Sequence, residues 1–315
     1  MSVRERAAIA LLEALLTSSN RGVPVGIGDD AAVVAPTGDK LVWTVDACVE
    51  HVHFERRWLS LVDVGWRSLQ AAASDIAAMG ARPIAALSSL VLPGGTDQGE
   101  LRAIGRGQAA AAVKLRCPVV GGNVSSGDAL SVTTTVLGRA ERPLLRSGAR
   151  PGQTVWLIGD LGLAAAGLRL LQSGESTRTA RRARAACLAA WRRPEAQLTR
   201  ACRLPSRVTS AIDISDGLSG DCAHLADASG VRIVIEQGAL LATLQPDLVT
   251  VAPLLGTTPL ELALSGGEDY ALVVTGPASK ATNWMRLIGR VERGRGVALE
   301  ATDGSMSRLS GGFEH

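Results

Sequence analysis

Aromatic side chains are scarce in this 315-residue chain, which has one Tyr, two Phe and six Trp. Base-stacking platforms need such rings, so a single-stranded nucleic-acid binder finds no support. Lysine is rarer than the net charge suggests, occurring only at 40, 114 and 280, and arginine carries the positive charge. A formal charge of +3 is too small to argue for a nucleic-acid partner. No G-x-x-x-x-G-K-[ST] run is present, which excludes a P-loop, and neither an H-R-D and D-F-G pair nor a G-x-S-x-G elbow occurs. The five cysteines, Cys48, Cys117, Cys187, Cys202 and Cys222, are odd in number and form no C-x-x-C. They read as reduced structural thiols of a cytoplasmic protein. The four histidines do not join them at ligand spacing, so a zinc site is not expected. No apolar run reaches the length of a membrane span, and no membrane partner is expected. Residues 2–19 read as an amphipathic helix rather than a signal peptide, because Glu13 interrupts the apolar run.

What the chain does have is apolar bulk and glycine. Hydrophobic residues make up 46% and glycines number 35, enough for a large core with many tight turns. The length suits about two domains. A connector rich in Arg and Gly, Arg146 to Gly152, marks the expected boundary, giving residues 1–145 and 146–315. Strand and helix signals alternate, which predicts an α/β or α+β fold. Leu41–Asp46 predicts a strand. Ser60–Ala81 predicts a helix capped by Ser60 with Asp63 as reciprocal partner, stopped by Gly80 and Pro83. Ile84–Leu92 predicts a strand and Asp97–Lys114 a helix. A short strand at Pro118–Val120 leads into Gly121, Gly122 and Asn123, followed by a strand at Leu130–Leu137. In the second half, strands are predicted at Val155–Ile158, Ala211–Ile214, Val231–Glu236 and Ala271–Thr275. Helices are predicted at Leu161–Gln172 and Thr177–Arg193. The six arginines of the latter read as a solvated face.

The informative residues are acids placed at the ends of elements. Gly26, Ile27 and Gly28 precede the pair Asp29–Asp30, and adjacent carboxylates repel unless a cation holds them. Thr44 and Asp46 share one face of a strand. Asp75 sits in the last turns of a helix, where the macrodipole disfavours a carboxylate unless a cation reverses the sign. Asp213 and Ser215 share a strand face, and Asp216 is placed to cap the helix that follows, whose N-terminus suits an anion. Oxygen ligands without matching Cys or His favour Mg²⁺ or Mn²⁺. Beside glycine-rich loops they suit a nucleotide held through several Mg²⁺ ions.

Six stretches in order resemble the thiamine-monophosphate kinase family, of the superfamily that includes aminoimidazole ribonucleotide synthetase and selenophosphate synthetase. They are residues 26–33, 44–54, 73–81, 146–152, 213–218 and 266–270. The resemblance implies an aminoimidazole ribonucleotide synthetase-like fold of two domains. The N-terminal sheets of two subunits would pair into a barrel, making a homodimer, with a C-terminal α/β domain facing the cleft. It also implies transfer of the ATP γ-phosphoryl to thiamine monophosphate, the last step in making thiamine diphosphate. By matching positions, Asp29, Asp30, Thr44, Val45, Asp46, Asp75, Asn123, Asp213 and Asp216 would hold Mg²⁺. Gly122, Asn123, Arg146 and Ser215 would touch ATP, and His53, Glu268 and Phe313 would contact thiamine monophosphate. The acceptor is itself a phosphate, mostly ionised near neutrality because its second pKa is roughly 6. No general base or nucleophile is therefore expected, and transfer should be direct and in line. Where the family reads Gly-Gly-Asp-Thr this chain has Gly121, Gly122, Asn123 and Val124, which keeps an oxygen ligand but loses a charge. His51 stands where the family commonly has Gly. Two other readings fit the same residues: another synthetase of the superfamily, or a non-catalytic binder of thiamine phosphate or nucleotide. Selenophosphate synthesis fits poorly, since no Cys precedes Cys48.

Overall fold

The computed structural model describes residues 32–34, 38–174 and 179–309. The expected N-terminal helix, the Gly26–Ala31 loop and Phe313 lie outside the described residues. In chain order the first half contains β1 (Ala32–Val34), β2 (Lys40–Val49), α1 (Leu61–Ala78), β3 (Arg82–Pro93), α2 (Gln98–Leu115), β4 (Val119–Gly127) and β5 (Ser131–Ala140). Its five strands form one sheet in the order β1-β2-β5-β3-β4. All neighbours are antiparallel except β3 and β4. The second half contains β6 (Thr154–Ile158), α3 (Leu163–Ser173), α4 (Arg181–Arg192), β7 (Ser210–Ile214), α5 (Leu218–Ser229) and β8 (Arg232–Glu236). Three short helices follow, α6 (Gln237–Thr243), α7 (Pro246–Val251) and α8 (Pro259–Ser265), then β9 (Ala271–Gly276), β10 (Arg286–Glu292), β11 (Gly296–Glu300) and β12 (Met306–Leu309). Its sheet runs β12-β11-β8-β10-β6-β9-β7. The fold is the mixed α/β arrangement that the alternation of signals predicts.

Helix α1 joins the two halves. Ser60 caps it by accepting the Asp63 N–H, a contact worth about 1 kcal/mol. The reciprocal bond differs from a standard capping box, since the Ser60 hydroxyl donates to Asp63 Oδ2 at 2.7 Å. An apolar face of Leu69, Ala72, Ala73, Ile76 and Met79 packs in one core with Val42 and Val136 of the first sheet and Trp156, Leu272 and Val274 of the second. A separate polar stripe at Asp63, Trp66, Arg67, Gln70 and Ser74 keeps helical spacing and reaches the second half. Trp66 Nε1 donates to the Pro194 carbonyl at 2.8 Å, Gln70 Oε1 accepts from Ala196 N at 2.9 Å, and Arg193 Nε donates to Asp63 Oδ1 at 2.5 Å. On a third side α2 crosses at backbone contact. A Cβ on Gly65 would meet the Ile104 carbonyl oxygen at 2.1 Å, and one on Gly107 would meet that of Val62 at 1.9 Å.

Two expectations need correction, and three strands were not foreseen. The short strand near Pro118 is instead the nine-residue β4, running through the glycines to Gly127. It tolerates them because Gly122 needs its missing side chain: a Cβ there would overlap the Ser88 carbonyl at 1.7 Å. The arginine-rich helix starts at Arg181 rather than Thr177, after Ala180 in the left-handed conformation. Strands β10, β11 and β12 carry no signal read from the sequence, since Arg286, Gly289, Arg290 and Glu292 interrupt any apolar alternation. No single described helix is long and apolar enough to cross a membrane.

Candidate active site

The middle of β2, the buried side of α1, the β7–α5 turn and the loop before β9 are tied together by side-chain and backbone contacts. Thr44, on the helix-facing side of β2, donates its hydroxyl to Asp75 Oδ2 on α1. One residue earlier on α1, Ser74 donates to Asp213 Oδ2 at 2.7 Å. Asp213 is the penultimate residue of β7 and is 5% exposed. Adjacent positions on one helix thus tie an acid from each half. Asp46 follows Thr44 on the same strand face and accepts the Ala47 N–H at 2.7 Å.

The β7–α5 turn differs from expectation at its cap. Gly217, with φ of 110°, begins α5, and Asp216 does not cap it with its side chain. Asp221 instead turns back from the first turn, its Oδ2 accepting the N–H groups of Ser215 at 3.1 Å and Asp216 at 3.2 Å. The two N–H groups just ahead of the helix are thereby taken by the protein's own carboxylate. The reason is positional: Gly217 leaves the extended geometry a side-chain cap requires, because only glycine suits that φ.

The same turn carries the loop that holds Glu268. The Ser215 carbonyl accepts Glu268 N–H at 2.7 Å, and the Ile214 carbonyl accepts Tyr270 N–H at 2.9 Å. Glu268 and Tyr270 both lie in the left-handed region, with φ of 65° and 47°. Non-glycine residues there are strained and need surrounding contacts to hold them. Asp269 supplies some, with Oδ2 accepting Gly162 N–H at 2.7 Å and Oδ1 accepting Ala164 N–H at 3.3 Å, at the start of α3. Burial pushes the Asp269 carboxyl up to about 8, against the lowering effect of those two bonds. Glu268 Oε2 pairs with Arg67 Nη2 at 2.5 Å. Burial alone would lower the Arg67 pKa, and the nearby Glu268 more than offsets it. The Tyr270 phenol is held well above its usual range, first by burial and then by Glu268, with Asp46 adding to the same effect. Cys48 is pushed up to about 12, mainly by burial.

The remaining expected residues lie as follows. His53 Nδ1 accepts the Val49 N–H at 3.1 Å, which places its proton on Nε2. His51, φ 68°, is exposed and lies 3.4 Å from Glu55. The Arg146 carbonyl accepts the Ser229 hydroxyl at 2.6 Å, in the turn Arg146–Gly148. Asn123 is not brought to Thr44 and Asp75. The parallel register pairs it with Ser89, and Ser88 next door faces Gln108 of α2 at 2.7 Å. Asn123 therefore points from the face turned away from the helices. Val45 shares that outer face and is 62% exposed. Asp29, Asp30 and Phe313 lie outside the described residues. Among the described residues no three His, Cys, Asp or Glu side chains gather into a metal-binding group. Reasoning from the sequence missed Arg67, Gln70 and Asp221. The first two were visible as polar residues repeating at helical spacing on an otherwise apolar helix.

Two mixed sheets sharing a core through one helix, with an acid of each half tied to that helix, define a class of protein. Residues 28–140 match the family described as AIR synthase related protein, N-terminal domain, and residues 150–300 match the corresponding C-terminal domain. The chain belongs to the AIR synthase related family. Within it, the chain is 36% identical over 276 residues to the thiamine-monophosphate kinase of Aquifex aeolicus (strain VF5), covering 87% of this chain and 89% of that one. The thiamine-monophosphate kinase of Pyrococcus abyssi is 34% identical, covering 87% and 85%. A solved structure, AaThiL complexed with AMPPCP and TMP, superposes with a TM-score of 0.90 at 34% identity, over 100% of this chain and 99% of that chain.

Proposed function

We propose that this protein is a thiamine-monophosphate kinase, transferring the γ-phosphoryl of ATP to thiamine monophosphate to give thiamine diphosphate. The observation that carries this reading is the full-length likeness to a structure holding an ATP analogue and TMP together. The chemistry of the site agrees with it. The obstacle in this reaction is bringing two anions together, which calls for cations and positioning rather than a base.

Mg²⁺ fits the donors on the page, since Thr44, Asp46, Asp75, Asp213 and Asp216 offer only oxygen. Bound there, it would neutralise charge on the phosphates. The residues hold the ends of α1, β2 and β7 together and keep Asp213 away from bulk water. His53 and Glu268 supply the rim toward thiamine monophosphate, with Ser215 and Arg146 on the nucleotide side. The chain is read as two domains meeting near residue 145, acting in the cytoplasm as a homodimer. The second copy would cover the outer face of the first sheet. That face exposes Trp43 (50%), Val45, Ile84 and Leu87.

An ADP-release assay with ATP, Mg²⁺ and thiamine monophosphate tests the proposal. Turnover dependent on both thiamine monophosphate and Mg²⁺ is expected. Binding without turnover would instead favour a non-catalytic homologue, the reading that Asn123 motivates.

A further inference from the structure

Arg67 is 2% exposed, and among the fully buried large side chains of the described residues only Trp191 exceeds it in volume. Burying a guanidinium is costly unless its charge and donors are matched. Two residues match it here through three contacts. Nη2 pairs with Glu268 Oε2 at 2.5 Å. Nη1 donates to the Trp191 carbonyl in the last turn of α4, where carbonyls lack helical partners and a cation suits the macrodipole. The guanidinium also lies over the Trp191 ring, 5.1 Å from its centroid. The neighbouring polar residues Asp63, Trp66 and Gln70 end on the linking segment 193–196 and serve as struts. Arg67 alone among these four ends on a side chain that reaches solvent, since Glu268 keeps 29% of its side-chain surface exposed.

We propose that Arg67 is a positioning residue for the phosphoryl acceptor: it fixes one oxygen of Glu268 and turns the other toward thiamine monophosphate. This rests on the reading of Glu268 as a substrate contact given above. The fork is suited to the task because a planar guanidinium can hold a carbonyl and a carboxylate at once, whereas an ammonium acts as a point charge. It also balances the Glu268 charge, so the carboxylate recognises its ligand by hydrogen-bond direction more than by attraction to the thiazolium cation. The left-handed backbone at Glu268 leaves its side chain few alternative paths, and Arg67 selects one.

Steady-state kinetics on the full chain test this with R67K, E268Q and the double variant, each checked by thermal melting. R67K is expected to raise the KM for thiamine monophosphate about tenfold. The KM for ATP and kcat are expected to stay within about threefold, a split that general loosening of the fold would not give. On the E268Q background R67K should raise that KM by less than about twofold further, because the two residues act as one unit. Should R67K fail to fold, W191F keeps the backbone acceptor and removes the ring beneath the guanidinium. It is expected to raise the same KM about two- to threefold, and no change would overturn the proposal. A normal KM for thiamine monophosphate in folded R67K, with E268Q impaired, overturns the role of Arg67. An equal rise in both KM values does so too. A normal KM in E268Q instead removes Glu268 from the substrate site and takes the proposal with it.

Discussion

The two sheets are finished to different degrees. In the second, β7 and β9 are buried at every residue, and helices close over the strands. In the first, one face packs on α1 and α2 while the other stays open. Along β2, Val42, Thr44 and Cys48 are buried, whereas Trp43 and Val45 between them are exposed. Along β5, Val132, Thr134, Val136 and Gly138 alternate with residues on the open side. Period-two alternation with an apolar outer face is what a sheet awaiting a partner shows, since exposed apolar patches of this kind mark interaction surfaces. The homodimer proposed above would cover that open face of the N-terminal half.

The contrast can be broken experimentally at several points. The largest effect is expected where the halves cooperate, at Asp213. Asp213→Asn keeps a partner for the Ser74 hydroxyl but removes the charge, and kcat/KM should fall about 100-fold or more. An unchanged rate in the ADP-release assay would remove Asp213 from the chemistry. Next, Leu87→Lys on the open face should convert the proposed dimer to a species near the single-chain mass of 32.6 kDa in sedimentation. Leu241→Lys, an exposed apolar residue of the second half, should leave the mass unchanged. If both variants sediment alike, the difference between the sheets has no bearing on assembly. A smaller effect is expected at the α1–α2 crossing. Gly107→Ala must push two backbones apart, costing about 1–3 kcal/mol, read as a lower melting temperature. The same change at Gly105, where a Cβ meets nothing within 4 Å, should not destabilise the protein.

The smallest effect concerns pH. Asp269 binds its proton more tightly in the folded chain than in the unfolded one. Its contribution to stability is therefore complete below the ordinary carboxylate range near 4 and is lost as pH rises through about 8. Asp269→Asn retains an oxygen for Gly162 or Ala164 and removes the titration. Its melting temperature should fall less steeply between pH 5 and 8 than that of the parent. Parallel curves would assign the decline to other groups.

Much of the site is legible from local chemistry. Acids set among apolar strand residues, such as Asp46 and Asp213, stand out because burying a carboxylate in a strand is costly unless a partner or a cation holds it. The helix over residues 61–78 follows from its cap, its apolar period and Pro83. Three things were less legible. The length of β4 was hidden because two glycines ordinarily end a strand, and only the nearby Ser88 carbonyl explains their use. Asp221 was hidden behind Asp216, which occupies the better capping position by spacing. Arg67 was not singled out, because its helical spacing with Asp63 and Gln70 shows only a polar stripe and not what the stripe meets.

By itself, then, the chain order of residues determined the alternation of elements, the oxygen-only character of the acids and the resemblance that their spacing carries, because these depend on neighbours within a few positions. Only the tertiary structure decided which acids meet, that Asn123 faces away from Thr44, and that Arg67 is sealed against Glu268. Those outcomes depend on which faces of α1 and β2 are turned toward each half. That choice is made by packing across more than 100 residues of sequence, as between Ser74 and Asp213, 139 positions apart.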